Sequence, residues 1–243
     1  MRPLDLNCDL GEGAGHDAEL MPLITSANIA CGGHAGDAVT MGAAVALAHR
    51  HGVAVGAHPG FADREHLGRR ELQLPPEDIR RLVSGQIAAL RTLAPLRHVK
   101  PHGGLYNLAG RDVRVARAVA EAVRATDASL VLFGLAGGEL LKAGRAAGLR
   151  VASEVFADRA YAPDGTLAPR STPGALLGIG VAVAQVRHIV RTGSVRTTDG
   201  TEIAVQADTV CLHGDGPEAV ELARALRAAL REEGVELRAW SSG

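Results

Sequence analysis

Side chains that can do chemistry recur directly after short apolar runs of this sequence, at six places along the chain. Carboxylates, imidazoles and one ammonium group follow these runs, and such groups transfer protons, bind metal ions or hold anions. Packing alone gives no reason for six strands to end in such side chains. In a β/α barrel, however, the carboxyl ends of the parallel strands meet at one mouth, where active sites are built. The six segments are 4–9, 26–31, 53–58, 98–102, 151–158 and 209–215.

The first segment carries Asn7 and ends in Asp9, and a second carboxylate, Glu12, follows three residues later. The glycines beside them allow both carboxylates to point into one mouth. Paired carboxylates can bind a metal ion, act as a general base or hold a histidine tautomer. The alternative is an ordinary glycine-rich turn with solvated acids.

Histidines follow the second and third segments. Asn28 lies in the second, and His34 follows it among glycines that let the backbone approach a ligand closely. Asp37 either caps the next helix or belongs to an anion site at the N-terminus of that helix. His58 ends the third segment, between Gly56-Ala57 and Pro59-Gly60.

The fourth segment holds the sharpest local feature, Lys100, with His102 two residues later. A lysine inside an apolar run is costly to bury unless it is paired, and Asp9 or Glu154 could pair it. Lys100 could polarise a carbonyl or hold a phosphate, and His102 could transfer protons. A purely structural ion pair is the alternative.

Further ionisable groups follow the remaining segments and the loop after the third. A guanidinium matches the geometry of carboxylates and phosphates, although Arg69 and its neighbour Arg70 could also lie on the surface. His213 could equally be a hydrogen-bonded core histidine, and Asp215 a helix cap. The residues in question are Arg69, Asp158, Arg159, His213 and Asp215.

The apolar runs alternate with amphipathic stretches along the whole chain. The runs do not alternate polar and apolar residues, which is typical of strands buried on both faces. A Thr-Asp-Gly-Thr turn at 198–201, inside 194–205, predicts a hairpin. The predicted strands are 4–9, 25–30, 53–57, 97–101, 129–135, 150–156 and 208–213, and the predicted helices are 37–51, one opening at 75–78, 112–125, 139–147, 173–191 and 217–233.

Seven strands with helical crossovers predict a parallel α/β fold. Polar residues follow nearly every strand, whereas an open sheet would concentrate them at one switch point. We therefore expect one domain over residues 1–243, a distorted seven-stranded parallel β/α barrel. With 47% hydrophobic but only 2% aromatic residues, its core must be built mainly from Ala, Val, Leu and Ile.

Composition also excludes several classes of protein. The net charge is −1 with no basic stripe, so no nucleic-acid partner is expected. No apolar run approaches the ~20 residues of a membrane span, and no signal-peptide core is present, so we expect a cytoplasmic protein without a membrane partner. Three cysteines without a CxxC pattern predict neither a disulfide framework nor a thiolate zinc site. They are small buried hydrophobes or, alternatively, include a catalytic thiol.

The ordered set of motifs resembles the A-subunit family of 5-oxoprolinases, also called the LamB/YcsF family. The resemblance spans essentially the whole chain in collinear order. It implies a barrel akin to those of glycoside hydrolases and polysaccharide deacetylases. It also implies ATP-dependent opening of the lactam of 5-oxo-L-proline to L-glutamate, together with partner subunits B and C. The matching motifs are Asp5–Gly13, Ser26–Cys31, Gly56–Gly60, Val99–Gly103, Glu154–Tyr161 and His213–Asp215.

The resemblance gives the polar residues roles in one reaction. An unstrained lactam resists water, so its carbonyl needs activation by ATP; since no Walker loop occurs, ATP is expected to be handled with the partner subunits. The expected catalytic residues are Asp9, His58, Lys100, His102 and Glu154. The expected substrate-binding residues are Asn7, Glu12, Asn28, His34, Arg69, Asp158, Arg159, His213 and Asp215.

Two other functions stay open. A metal-dependent deacetylase or amidohydrolase could use Asp9, His34 and His58 with a bound water, although a divalent metal is not required by the first interpretation. A non-catalytic lactam-binding subunit is the second alternative, and a homo-oligomer is compatible with either. Small residues stand where the family usually has larger ones, and we expect them to alter the shape of the pocket: Gly33, Ala62 and Gly104.

Overall fold

The computed structural model describes residues 3–240 and has a closed barrel of parallel strands at its centre. Its first six strands are β1 (Asp5–Leu10), β2 (Ser26–Ala30), β3 (Ala54–His58), β4 (His98–Val99), β5 (Val131–Leu135) and β6 (Arg150–Phe156). A separate antiparallel hairpin follows, formed by β7 (Ser194–Arg196) and β8 (Glu202–Ala204). The last strand, β9 (Thr209–His213), pairs with both β6 and β1 and closes the barrel. The predicted seven-stranded parallel barrel and the predicted hairpin are confirmed.

Helices cover the outside of the barrel and bury their apolar faces against it. They are α1 (Asp17–Leu20), α2 (Ala38–His51), α3 (Pro76–Arg91), α4 (Gly103–Arg111), α5 (Val113–Thr126), α6 (Glu139–Ala146), α7 (Ile179–Thr192) and α8 (Ala219–Glu232). Short 3-10 turns lie at Met21–Leu23 and Arg64–His66. In the described part of the chain, no helix has both the length and the apolar character needed to cross a membrane.

Asp37 caps α2. Its carboxylate accepts hydrogen bonds from the backbone N–H groups of Val39 and Thr40, and the Thr40 hydroxyl lies 2.8 Å from the Asp37 backbone nitrogen. This reciprocal pair is a capping box, which satisfies N–H groups that the first turn leaves free. Of the two roles considered for Asp37, the structure shows the cap.

Three elements differ from the sequence-based expectation. Helix α4 was not predicted; it begins at Gly103-Gly104, and glycine is a poor helix former. Helix α7 begins at Ile179 rather than near 173, because residues before it form irregular bridges, including Arg159 with Leu176. Strand β4 has only two residues, since the chain turns away at Lys100-Pro101.

Polar residues fill much of the barrel interior. Along β1, Asp5, Asn7 and Asp9 alternate with apolar neighbours that are buried on the outer face. The amide of Asn7 on β1 donates to Thr209 on the neighbouring β9 at 2.7 Å and to Glu154 on β6, the next strand, at 2.9 Å. A typical β/α barrel interior is packed with Val, Ile and Leu, so the hydrogen-bonded interior here must serve to position the side chains at the mouth.

The opposite end of the barrel is closed by an aromatic floor. Trp240 packs against Val131, Phe133 and Ala152. Above it the His98 ring stacks on Phe133, with ring centroids 4.3 Å apart. The His98 imidazole crosses directly over Gly56, where a Cβ would lie 2.1 Å from its Nε2 atom. The floor therefore separates the polar interior from solvent at the end away from the mouth.

Candidate functional site

The carboxyl ends of the barrel strands open into a cavity of about 560 Å³, a size typical of small-molecule sites. Most of the site residues expected from the sequence meet here. Those that line the cavity are Asp9, Glu12, His58, Arg69, Lys100, His102, Arg159, His213 and Asp215. The others lie directly behind this wall and hydrogen-bond to it or to one another: Asn7, Asn28, His34, Glu154 and Asp158.

Lys100 lies at the centre of the site and is only 2% exposed. Its Nζ atom is 3.0 Å from Asp9 Oδ1 and 3.0 Å from Glu154 Oε1. It also donates to Asn7 Oδ1 at 3.2 Å and to the Cys211 Sγ at 2.9 Å. The ammonium group is thus paired with two carboxylates at once, which offsets the cost of burying it.

The electrostatics of this pair keep both groups charged. Burial lowers the pKa of Lys100, but Asp9, Cys211 and Glu154 together outweigh burial, and the pKa lies well above its ordinary value. Burial raises the pKa of Asp9, but His58 and Lys100 outweigh it and hold the pKa well below the ordinary value. At neutral pH the site therefore offers a lysine ammonium and an aspartate carboxylate side by side.

A layer of amides and hydroxyls supports this pair from below. Asn28 donates to Asp9 Oδ1 at 2.8 Å and to Asn7 Oδ1 at 2.7 Å, and its own oxygen lies 2.8 Å from His98 Nε2. Tyr106 donates to Glu154 Oε2 at 2.7 Å. Every one of these supporting groups is buried, so the rotamers of Asp9 and Glu154 are fixed before any ligand arrives.

A cluster of imidazoles and one carboxylate forms the adjoining wall of the cavity. The Nε2 of His58 lies 2.9 Å from Nδ1 of His102 and 3.3 Å from Asp9 Oδ2. Glu12 Oε1 lies 3.0 Å from His34 Nε2 and 3.2 Å from His102 Nδ1. Four residues, Glu12, His34, His58 and His102, each place a ligating atom within 4.8 Å of the others, an arrangement that could hold a metal ion.

The histidines of this cluster differ in basicity. Burial and the neighbouring His58 and His34 charges lower the pKa of His102 well below its usual value. Burial also lowers the pKa of His34. In His58, burial lowers the pKa but the Asp9 carboxylate outweighs it, so the net shift is upward. His58 is therefore the imidazole most able to carry a proton in this wall.

The far wall of the cavity is cationic. Arg159 is 6% exposed; its Nη2 donates to the Ala168 carbonyl oxygen, and its Nε has no hydrogen-bond partner. Within residues 3–240 no carboxylate lies within ion-pair distance of Arg159. Burial and the neighbouring Arg170 lower the pKa of Arg159 to about 10. This guanidinium therefore lines the cavity with N–H groups that are not used in hydrogen bonds within the protein.

The neighbouring polar groups are already paired. Arg69 contacts Asp215 at 2.5 Å, and Arg170 contacts the same carboxylate at 3.4 Å. His213 Nδ1 lies 2.9 Å from Asp158, which holds its imidazole against the cavity. Asp215 thus orients two arginines at the rim and is not a helix cap.

None of the three small residues Gly33, Ala62 and Gly104 lines the cavity. A Cβ at Gly33 would lie 2.5 Å from the Gln86 side chain, which fills that space and hydrogen-bonds to both backbone groups of Gly60. A Cβ at Gly104 would lie 2.3 Å from the Arg70 carbonyl oxygen. At these two positions, neighbouring chain takes up the room that a larger side chain would occupy.

Some residues that support the site are absent from the sequence-based expectations, among them Asp5, His98 and Thr209. Asp5 accepts hydrogen bonds from Thr209 and Ser26 at the floor of the network. A usable signal exists for Asp5, because Asp5, Asn7 and Asp9 follow the period of two that places residues on one face of a strand. Tyr106 lies on helix α4, lines the cavity and donates to Glu154.

Comparison with known proteins agrees with this architecture. A sequence profile described as the LamB/YcsF family matches residues 4–243. The A subunit of the 5-oxoprolinase of Geobacillus thermodenitrificans is 50% identical over 98% of this chain and 97% of its own length. The crystal structure of a lactam utilization protein from Thermus thermophilus is 49% identical, covers 98% of this chain and 100% of that one, and has a TM-score of 0.91. The catalytic domain of a peptidoglycan N-acetylglucosamine deacetylase from Eubacterium rectale shares the fold alone. It is 11% identical, with a TM-score of 0.51, and the match covers 98% of this chain and 88% of that one.

Proposed function

Because this chain belongs to the LamB/YcsF family, we propose that it is the A subunit of an ATP-dependent 5-oxoprolinase and carries the lactam-opening site. Partner subunits B and C complete the enzyme and take part in handling ATP. The observation that carries the proposal is one cavity that joins the Lys100–Asp9 pair, an imidazole wall and an unpaired buried arginine. The three buried, unpaired cysteines suit the reducing cytoplasm, where we place the enzyme.

The cavity offers a complement for each polar part of 5-oxoproline. Arg159 faces it with free donors and suits the substrate carboxylate, since a guanidinium matches carboxylate geometry. Lys100 lines the same cavity, and its ammonium can stabilise charge on the lactam oxygen. Glu154 is fully buried and does not line the cavity. In this assignment Glu154 positions Lys100 rather than touching the substrate.

The chemistry needs activation, a nucleophile and a proton for the leaving nitrogen. ATP transfers its terminal phosphoryl group to the lactam oxygen, which makes the ring carbon electrophilic. Water adds to that carbon and gives a proton to Asp9, whose low pKa keeps it unprotonated. The carbon–nitrogen bond then breaks, and the nitrogen takes the proton that Asp9 received from the water. A second water releases phosphate from the acyl group, leaving glutamate.

Reconstitution tests this function directly. We expect the isolated chain to release no glutamate from 5-oxoproline, and the chain with subunits B and C and ATP to release glutamate and phosphate in equal amounts. Glutamate release by the isolated chain without ATP, abolished by a chelator and restored by Zn²⁺, would establish a metal-dependent amidohydrolase instead. Tight binding of 5-oxoproline with no turnover in the full mixture would establish a binding subunit.

Arg159→Met tests recognition of the substrate carboxylate. Losing a charged hydrogen bond costs about 1.5–3 kcal/mol, so the KM for 5-oxoproline should rise about 10- to 100-fold, with a smaller change in kcat. The measurement is steady-state kinetics of the reconstituted enzyme with 5-oxoproline and with 2-pyrrolidinone, a lactam that lacks the carboxylate. The variant should lose the preference for 5-oxoproline and treat 2-pyrrolidinone as the wild type does.

The matched control is Arg80→Met, which removes an exposed arginine paired with Glu121 on the helical surface. It should leave both KM values unchanged. An Arg159→Met enzyme that keeps its discrimination between the two lactams would place the carboxylate elsewhere, with Arg69 and Arg170 the next residues to vary.

A further inference from the structure

Two imidazoles in the cavity wall turn nitrogen lone pairs toward each other. His58 Nδ1 lies 2.8 Å from the Lys100 carbonyl oxygen, and His102 Nε2 lies 2.8 Å from the Leu67 carbonyl oxygen. A carbonyl oxygen only accepts, so both of these nitrogens carry hydrogen. The other two nitrogens, His58 Nε2 and His102 Nδ1, are 2.9 Å apart. Two lone pairs at that distance repel each other unless a cation lies between or beside them, either a proton on His58 Nε2 or a metal ion.

Glu12 supplies an anionic oxygen at the same point. Its Oε1 lies 3.2 Å from His102 Nδ1 and 3.7 Å from His58 Nε2. Tetrahedral Zn²⁺, with bonds of about 2.0–2.1 Å, keeps its ligand atoms about 3.3 Å apart. The three separations here, 2.9, 3.2 and 3.7 Å, bracket that value. We propose that Glu12, His58 and His102 bind one divalent transition-metal ion of the Zn²⁺ class.

The surroundings of the two histidines support their role as ligands. A metal-bound histidine nearly always donates its other ring N–H to a backbone carbonyl, a carboxylate or water, and both His58 and His102 do so. His34 differs, because its Nδ1 is buried without a partner. Its ring also lies parallel to His102 at 3.6 Å, so one ion cannot lie in the planes of both rings. His34 instead lies 3.0 Å from Glu12 Oε1 and positions that carboxylate.

Charge balance points the same way. Asp9 and Glu154 share the ammonium of Lys100, whereas the ion-pair contacts of Glu12 within residues 3–240 are with imidazoles only. A divalent cation beside Glu12 neutralises the remaining negative charge, which would otherwise be costly to bury. The ligand set differs from the one expected from the sequence. His34 is turned to Glu12, and Asp9 is assigned to the base role instead, with its Oδ1 held by Lys100 and Asn28 and its Oδ2 3.3 Å from His58. All three proposed ligands line the cavity, which leaves a coordination position for water or substrate.

Cobalt binding to the isolated chain tests the site without any lactam chemistry, so its outcome is separate from that of the proposed function. After treatment with a chelator, the chain is titrated with Co²⁺ while visible absorption is recorded, and bound Zn²⁺ is then counted by elemental analysis. We expect one equivalent of Co²⁺, with the absorption bands of a tetrahedral or five-coordinate ion, displaced by one equivalent of Zn²⁺. Absence of such bands at one equivalent would overturn the proposal and leave a proton shared by His58 and His102.

Variants locate the ion. Glu12→Gln and His102→Gln should each weaken Co²⁺ binding by about 100-fold or more. Loss of a residue that only supports a metal ligand already weakens binding by about 10- to 100-fold, and loss of a ligand should cost at least as much. His34→Gln, which keeps a donor toward Glu12, should weaken it by only about 10-fold. His188→Gln, on a surface His–Glu pair with Glu202, should leave binding unchanged. Circular dichroism shows that each variant is folded. Binding lost in His188→Gln, or kept in both Glu12→Gln and His102→Gln, would contradict the site.

Discussion

Lys100→Met should abolish glutamate release by the reconstituted enzyme and lower the free energy of unfolding by about 3–5 kcal/mol. The loss of stability follows from leaving Asp9 and Glu154 as buried carboxylates without their shared cation. The sequence alone does not show that one ammonium serves two carboxylates. Urea unfolding of the isolated chain and a glutamate assay measure the two effects separately.

A second variant separates stability from catalysis. In Lys100→Met/Glu154→Gln one uncompensated charge is removed, so part of the stability should return while activity stays absent. The matched control is Lys142→Met, which removes the only other lysine of the chain, an exposed residue paired with Glu139. A surface pair contributes about 0–1 kcal/mol, so this control should match the wild type closely. Turnover retained in Lys100→Met would exclude the ammonium from the reaction.

Asp9→Asn should reduce kcat by about 10²–10⁴-fold, the usual contribution of a general base, because an amide cannot accept the proton of the attacking water. Its Oδ2 lies 3.3 Å from His58 and faces the cavity, whereas Oδ1 is held by Lys100 and Asn28. Glutamate and phosphate should both be measured. Phosphate release without glutamate would show that activation proceeds while ring opening fails.

Asp5→Asn is the control on the same strand. Asp5 is on the same strand but is fully buried at the floor end, where it accepts hydrogen bonds from Ser26 and Thr209. Asp5→Asn should lower the free energy of unfolding, because it breaks buried hydrogen bonds. It should leave kcat within about 2-fold of the wild type, because Asp5 does not line the cavity. Equal losses of kcat in both variants would mean that Asp9 acts through the fold and is not a base.

The architecture could be predicted because local sequence patterns set it. Short runs rich in Val, Ile and Leu, each followed by helix-forming stretches, allow few folds other than a parallel barrel or sheet. Polar residues after nearly every run then favoured the barrel, and the mouth with Asp9, His58, Lys100 and His213 lies where that choice placed it. The boundaries of β4 were less predictable. Only His98 and Val99 pair with the neighbouring strands β3 and β5, and this pairing, not the strand propensity of the sequence, sets the length of β4.

The division of labour within the site could not be predicted. Asp9 and Glu154 carry the same functional group, and only the fold decides that Asp9 lines the cavity while Glu154 is covered by Tyr106 and Asn7. Likewise, the backbone carbonyls of Lys100 and Leu67 fix which imidazole nitrogens are free. Every residue has a backbone carbonyl, so the sequence does not show which carbonyls lie beside the imidazoles; only the folded structure does.

The position of the single tryptophan gives the protein a built-in optical reporter. Trp240 is the only tryptophan in the chain and lies at the floor, against Phe133, while both tyrosines, Tyr106 and Tyr161, are buried near the mouth. Selective excitation of the indole therefore reports whether the floor is closed, with little contribution from ligands at the far end. Fluorescence and near-ultraviolet dichroism of the tyrosines report the mouth. Unfolding that begins at one end of the barrel would separate these two signals in time.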